Sequence, residues 1–437
     1  SSTSVSWSKA PELPLVPVPY RYLEFVWLLP ASSQFVSPTM AMAKLAAVVA
    51  SLYLFIVVTR CEAAAAGAGG STSCDGVRAV GRSGGGRARP MVKAVFVFGS
   101  SLVDNGNNNF LNSTGVRADY LPYGVDFPLG PSGRFSNGRN TIDALGELLR
   151  LPRGGRIPPF ADPATRGHAA LHGVNFASGG SGILDRTGQD TGKVLSLNQQ
   201  ISNFEAVTLP DLRATTASTR QMKGRDFLHD CFLPKSLFVI GTGGSDYLLN
   251  YYRPRNTARP QLSDFTRSLI TKLSAHLQRL YGLGARKFVI FSIQPMGCTP
   301  VVRASLNVTG AGCVEPVNGA ALLFNGELRS LVDATGPRMP GASFAVVDSY
   351  KIIKDLLDHP RKHGIRETYR ACCSELASSG VLCKKGGPIC RDRTKYVFFD
   401  GLHPTDVVNA RIARKGFGSE SPREAYPINV KKLAMLW

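Results

Sequence analysis

No apolar run in the 437 residues reaches the roughly 20 needed to cross a bilayer as a helix. The longest, Leu45 to Val58, falls short. Paired C-x-x-C spacing is also missing, which excludes a zinc site built on cysteine pairs. The phosphate-loop pattern G-x-x-x-x-G-K-[ST] fails around Lys193, and G-x-G-x-x-G does not occur. Two histidine pairs at helical spacing, His168/His172 and His359/His363, lack the glutamate of H-E-x-x-H. No metal is therefore expected. The G-x-S-x-G elbow is absent too, and there is no internal repeat. Acidic residues are few, 31 against 51 Lys and Arg, giving a net charge of +20 and a pI near 9.8. The basic residues form no basic helix and do not alternate with aromatics, so nucleic-acid binding is not expected.

What is present falls into four segments. Residues 1–39 are rich in Ser and Pro without a steady period, and read as an upstream or non-native extension. Residues 40–66 run from Met40 and Lys44 through the apolar stretch to small residues at Ala63 to Ala66. That is the layout of a signal peptide, with a membrane anchor as the rival reading. Residues 67–90 form a Gly/Arg-rich linker. Residues 91–437 read as one domain. Cys61 would leave with the signal. Eight cysteines remain: Cys74, Cys231, Cys298, Cys313, Cys372, Cys373, Cys383 and Cys390. An even number behind a signal predicts disulfides, with the adjacent Cys372 and Cys373 bonded to different partners. The expected location is extracellular, in the cell wall or apoplast. The sequons at Asn112 and Asn307 would then be glycosylation acceptors. The positive charge fits either a basic extracellular protein or retention on an acidic polysaccharide or membrane surface.

Within the domain, Ala94–Phe98, Leu237–Ile240, Lys287–Phe291 and Phe344–Asp348 are short β-branched and aromatic runs, the pattern of buried strands. Between them, Asn140–Leu149, Asp264–Leu283 and Ala320–Ala334 have apolar residues at helical spacing. Thr405 is placed to cap a final helix after Pro404. Strands alternating with helices predict an α/β layered domain with a mainly parallel sheet. In such sheets the site lies at the carboxyl ends of the strands.

Four pieces could carry chemistry there. Ser101 follows the first strand on a glycine turn. It could be a nucleophile if a base lies within reach, or Ser100 and Ser101 could merely cap the next helix. Asp400-Gly401-Leu402-His403-Pro404 places a carboxylate three residues before a histidine, where it can fix the imidazole tautomer, although a surface turn has the same spelling. Val174–Ile183 is glycine-rich and could aim backbone N–H groups at a substrate oxygen, or form a plain turn. Gly243-Gly244-Ser245-Asp246 offers a polar side chain near a developing oxyanion, or simply ends a strand.

In order along the chain, these pieces resemble the plant GDSL esterase/lipase family of the SGNH hydrolases. The resemblance runs from about Lys93 to Trp437. It includes V-F-V-F-G-S-S-L-V-D-N-G-N-N-N at 95–109, P-Y-G-V-D-F-P at 122–128, G-R-F-S-N-G-R at 133–139 and N-F-A-S-G-G-S-G-I at 175–183. It continues with L-F-V-I-G-T-G-G-S-D-Y at 237–247, L-G-A-R-K-F-V-I-F at 283–291, G-C-V-E at 312–315, C-C at 372–373 and F-F-D-G-L-H-P-T at 398–405. It implies a three-layer α/β/α sandwich of flavodoxin-like kind. It also implies carboxylic ester hydrolysis through an acyl-serine, on an ester or lipid substrate, without a cofactor. Ser101 aligns with the nucleophile, His403 with the base and Asp400 with its orienting acid. The implied oxyanion donors are the Ser101 backbone N–H, Gly180 and the side chain of Ser245. Two positions depart from the family pattern. Ser100 stands where G-D-S-L has aspartate, and Ser245 where G-x-N-D has asparagine. A catalytically impaired member that binds lipid or cell-wall ligands is the alternative those departures raise.

Overall fold

The computed structural model describes residues 89–217, 226–253 and 258–436. The expected extension, the signal segment and nearly all of the linker lie outside them. Six strands form one sheet in the order β2-β1-β3-β4-β5-β8. They are β1 Val95–Gly99, β2 Gly173–Asn175, β3 Leu237–Gly241, β4 Lys287–Phe291, β5 Ser343–Val347 and β8 Ala425–Pro427. The first five run parallel, and β8 is antiparallel to β5. A second, two-stranded sheet pairs β6 Glu367–Ala371 with β7 Tyr396–Phe398.

The strands read as unbroken apolar runs because both faces of the sheet are covered. Side chains alternate across a strand, so each strand feeds two cores. Phe96, Phe98, Phe238, Ile240, Phe288 and Ile290 enter one. Val95, Val97, Leu237, Val239, Val289 and Phe291 enter the other. Each fully buried side chain of this size contributes about 1.5–3 kcal/mol. The covering helices are α1 Thr141–Leu148, α2 Leu197–Asn203, α3 Leu262–Gly282, α4 Glu315–Thr335, α5 Ser349–Asp358, α6 Asp406–Gly418 and α7 Val430–Met435. Helices α2, α3 and α4 pack into the first core through residues such as Ile201, Leu273 and Phe324. Helices α1, α5, α6 and α7 pack into the second through Ile142, Ile353, Ile412 and Leu433. The result is the expected three-layer α/β/α fold with a mainly parallel sheet.

Three details differ from the sequence reading. Thr405 stands at the N-cap of α6, but its side chain makes no capping bond and instead donates to the Tyr396 carbonyl at 2.8 Å. Helix α6 is not the last, since α7 follows it. Strands β2, β6, β7 and β8 are three to five residues long. The three-residue runs carry too little pattern to be found from sequence, and β6, Glu-Thr-Tyr-Arg-Ala, is as long as β1 but has no apolar run.

Disulfides join Cys298 to Cys313, Cys372 to Cys390 and Cys373 to Cys383. The adjacent pair thus splits between two partners. Both of its bridges sit in a third, small core with Tyr123, Phe135 and Phe399.

Gly99, at the end of β1, has φ +147°. A Cβ there would come within 2.1 Å of the Gly241 carbonyl oxygen at the end of β3. Gln200 of α2 grips both polar groups of Gly99, accepting from its N–H at 2.7 Å and donating to its carbonyl at 2.8 Å. The turn that presents Ser101 is thereby clamped from two sides. Gly99→Ala is expected to destabilise the chain by at least about 1 kcal/mol from the left-handed backbone alone, with the clash added. An unchanged chemical-denaturation midpoint would contradict that close approach.

Candidate active site

Ser101 lies in the turn that follows β1, at the carboxyl edge of the sheet, and no α-helix begins there for it to cap. Its Oγ is 2.7 Å from His403 Nε2. His403 Nδ1 is 2.8 Å from Asp400 Oδ2 and 3.0 Å from Oδ1. A carboxylate can only accept, so Nδ1 carries the hydrogen and Nε2 is left to accept from the Ser101 hydroxyl. All three side chains are buried or nearly so, with 7% of Ser101, 2% of His403 and none of Asp400 exposed. Low exposure keeps water from competing for these bonds.

The D-x-x-H spacing works because the loop folds on the carboxylate. Asp400 Oδ1 accepts the backbone N–H groups of Leu402 at 2.8 Å and His403 at 2.7 Å. Oδ2 accepts the Tyr123 hydroxyl at 2.6 Å. Burial, and then the nearby carboxylate, push the Tyr123 phenol well above its ordinary range, so it stays protonated and donates. The Tyr123 oxygen in turn accepts the Cys383 N–H at 3.0 Å. The Phe135 ring lies 4.9 Å from the imidazole, at 32° to it. Tyr123 and Phe135 were not among the sequence candidates. Their signal lay in P-Y-G-V-D-F-P and G-R-F-S-N-G-R, but nothing local says that residues 277 positions apart will meet.

Gly180 and Ser245 line one groove together with Ser101 and His403. The groove has a volume of about 600 Å³ and mostly apolar walls that include Leu248, Val301, Val317 and Leu402. Gly180 has φ +82°, a backbone shape that suits glycine. Two buried carboxylates hold this side. Asp104 accepts from Gly106 at 2.8 Å, Asn107 at 2.9 Å and Gly179 at 2.9 Å, tying the loop after Ser101 to the glycine-rich loop. Asp246 accepts from Ile183 at 2.8 Å, Leu184 at 3.0 Å and the Thr187 hydroxyl at 2.6 Å. Burial pushes both up to about 6, against the pull of those donors. The remaining sequence candidates lie elsewhere. Asn112 and Asn307 are exposed on the surface. His359 and His363 both lie against Asp355.

A family model described as GDSL-like Lipase/Acylhydrolase matches residues 95–415. The chain belongs to the GDSL-like lipase/acylhydrolase family. It is 41% identical over 355 residues to GDSL esterase/lipase At1g71250 of Arabidopsis thaliana, covering 80% of this chain and 91% of that protein. It is 38% identical over 363 residues to GDSL esterase/lipase 7 of the same plant, covering 81% and 96%. GDSL esterase/lipase At1g29670, also from Arabidopsis thaliana, is 38% identical over 354 residues, covering 80% and 93%. Family membership therefore supports a lipid or acyl ester hydrolase. In this GDSL chain the motif reads Gly99-Ser100-Ser101-Leu102. Ser100 is buried and its N–H donates to the Gly241 carbonyl at 2.9 Å, so the turn keeps its backbone bond with serine in that place.

Asp104 gives a pH signature. Its folded-state value of about 6 lies above the ordinary 3.8, so the folded chain holds that proton more tightly than the unfolded chain. The associated stability is full below about pH 4 and is lost as the pH rises through about 6. Asp104→Asn is expected to lower the melting temperature throughout, because an amide cannot accept all three N–H bonds. It should also lessen the decline between about pH 4 and pH 7, leaving the part that belongs to Asp246, which burial raises to the same value. Melting curves that keep their full slope in the variant would show that Asp104 does not contribute to it.

Proposed function

We propose that this chain is a secreted serine hydrolase that cleaves carboxylic esters of lipid or acyl type through an acyl-serine. One observation carries the reading: the unbroken chain from Ser101 Oγ to His403 Nε2 at 2.7 Å and from His403 Nδ1 to Asp400 at 2.8 Å, at the wall of an apolar groove.

In this reading His403 Nε2 takes the Ser101 proton as Oγ attacks the ester carbonyl carbon. Asp400 favours the imidazolium that forms and keeps the ring in its tautomer. The carbonyl oxygen, now negative, faces the Ser101 N–H, Gly180 and Ser245. Collapse of the intermediate breaks the bond to the alcohol, which leaves with the proton from Nε2. Water then attacks the acyl-serine by the same route and restores the hydroxyl. A hydroxyl compound in place of water would make the same site an acyltransferase. The apolar groove suits the hydrocarbon part of an ester better than a polar one.

Several features support export. The described disulfides favour an oxidising compartment, and the segment 40–66 has the layout of a signal. Both sequons are exposed, as acceptors must be. No helix among the described residues is long and apolar enough to cross a membrane. The net charge of +20 favours association with acidic cell-wall polymers or membrane surfaces. A second reading, ligand binding without turnover, is favoured by Ser100 and Ser245. Losing one oxyanion donor lowers rates by roughly a hundred- to a thousandfold.

Hydrolysis of p-nitrophenyl esters of increasing acyl length by the mature chain tests the proposal. Turnover is expected, and Ser101→Ala should abolish it. Asp400→Asn should lower kcat by about ten-thousandfold, the scale seen where the orienting carboxylate of such a triad is neutralised. Full activity in Ser101→Ala would refute the assignment. Folded wild-type protein with no turnover would favour the binding reading.

A further inference from the structure

Behind the nucleophile lies a second, smaller cavity of about 60 Å³. Ser101, Ser245, Leu248 and Leu402 line both it and the large groove, so the two spaces meet at the reacting centre. Ser100 also lines the small cavity, with Thr242 and Gln294. Both positions at which this chain carries a serine in place of a longer family side chain therefore open onto the same space. That coincidence needs a physical account.

Two atoms in its wall provide one. Among the described residues, Thr242 Oγ1 and Gln294 Oε1 are buried without a hydrogen-bond partner. Their residues are 9% and 4% exposed. The Gln294 amide cannot be turned to relieve this. Its Nε2 donates to the Leu402 carbonyl at 3.0 Å, and a flip would set oxygen against oxygen. Oε1 therefore requires a donor from within the cavity. A buried polar atom left unpaired costs about 1–3 kcal/mol, so such atoms are normally satisfied by ordered water. One water needs roughly 10–15 Å³ of such volume, so a space of about 60 Å³ has room for several. The neighbouring polar side chains are engaged elsewhere: Asn409 donates to the Arg139 carbonyl, and Ser292 accepts from Tyr350.

We propose that this chamber holds an ordered water cluster, anchored by Gln294 Oε1 and Thr242 Oγ1, which extends the reach of Ser245 and donates a hydrogen bond to the developing oxyanion. Water then does the work that a carboxamide at position 245 does by direct donation. Thr242 and Gln294 are positioning residues in this scheme, acting only through the water. The proposal rests on the serine-hydrolase reading and on Ser245 facing the oxyanion.

The test is Thr242→Val, which keeps the shape and removes the hydroxyl, made in wild type and in Ser245→Asn. In wild type, kcat for a p-nitrophenyl ester should fall roughly tenfold with KM unchanged, and Thr242→Ser should restore it. In Ser245→Asn, where the carboxamide donates directly, Thr242→Val should change kcat less than about twofold. Equal losses in both backgrounds, or none in either, would overturn the water relay. A crystal structure of the wild type gives a check independent of kinetics. Water density within hydrogen-bonding distance of Gln294 Oε1 is expected, and a dry chamber would overturn the proposal. Ser101→Ala run alongside separates the two levels of inference. If that variant is dead while Thr242→Val keeps its full rate, the hydrolase reading stands and the relay falls. If Ser101→Ala is active, or the folded wild type is not, both fall.

Discussion

A carboxylate with no exposure to water has to be met by donors, and the assembly of the site follows from how Asp400 meets that need. Four groups donate to it: two N–H groups of its own loop, the His403 ring and the Tyr123 hydroxyl. An isolated ion in so dry a place would cost far more than any single contact returns. Each donor is therefore also a positional demand. The loop must turn tightly at Gly401, the imidazole must face inward, and a tyrosine must arrive from the other end of the domain. Tyr123 is held in turn by the Cys383 N–H, within the small core stapled by the Cys372 and Cys373 bridges. The disulfide-rich corner thus serves the histidine.

The other wall of the site is held by the same device at different places. Asp104 and Asp246 each gather donors from the glycine-rich loop, which the end of β1 holds only through Gly99 and Val97. The sheet supplies rigid strand ends, and buried carboxylates pull the glycine-rich loops against them. Arg139 extends this logic to the far side, bonding Asp406 through its backbone and guanidinium at the start of α6, three residues after His403. Apolar packing fixes the three layers, while hydrogen bonds to charge fix the loops between them.

How much of this could be read from the sequence differs by scale. The helices were legible because their apolar residues repeat with a clear period, and the four central strands because they are continuous apolar runs. Lys287–Phe291 was read with the ends that β4 has. The short strands at 173–175 and 425–427 were not, since three residues have no period, and β8 is antiparallel only because of how the chain returns. Ser101, Asp400 and His403 could be nominated from their motifs. Their convergence could not be derived from local spacing, which left a capping serine and a surface turn equally open. Tyr123, Phe135, Gln200 and Asp104 act through partners far away in sequence, from 75 residues between Asp104 and Gly179 to 277 between Tyr123 and Asp400, and types such as Tyr and Gln serve too many ends to be singled out beforehand. Thr405 shows the opposite failure. Its type and position were right for a cap, but the Tyr396 carbonyl competed for its hydroxyl and won.

The pairing of Ser101 with His403 spans 302 residues. Ser101 leaves the ribosome early, and His403 leaves only after most of the domain has been made. Any nascent chain or fragment that stops short of residue 403 lacks the imidazole that lies 2.7 Å from the Ser101 hydroxyl. Strand β8, which closes the sheet beside β5, comes later still. The Ser101–His403 contact can therefore form only once nearly all of the domain has been made. Until then the two side chains that face one another in the folded site are never present together.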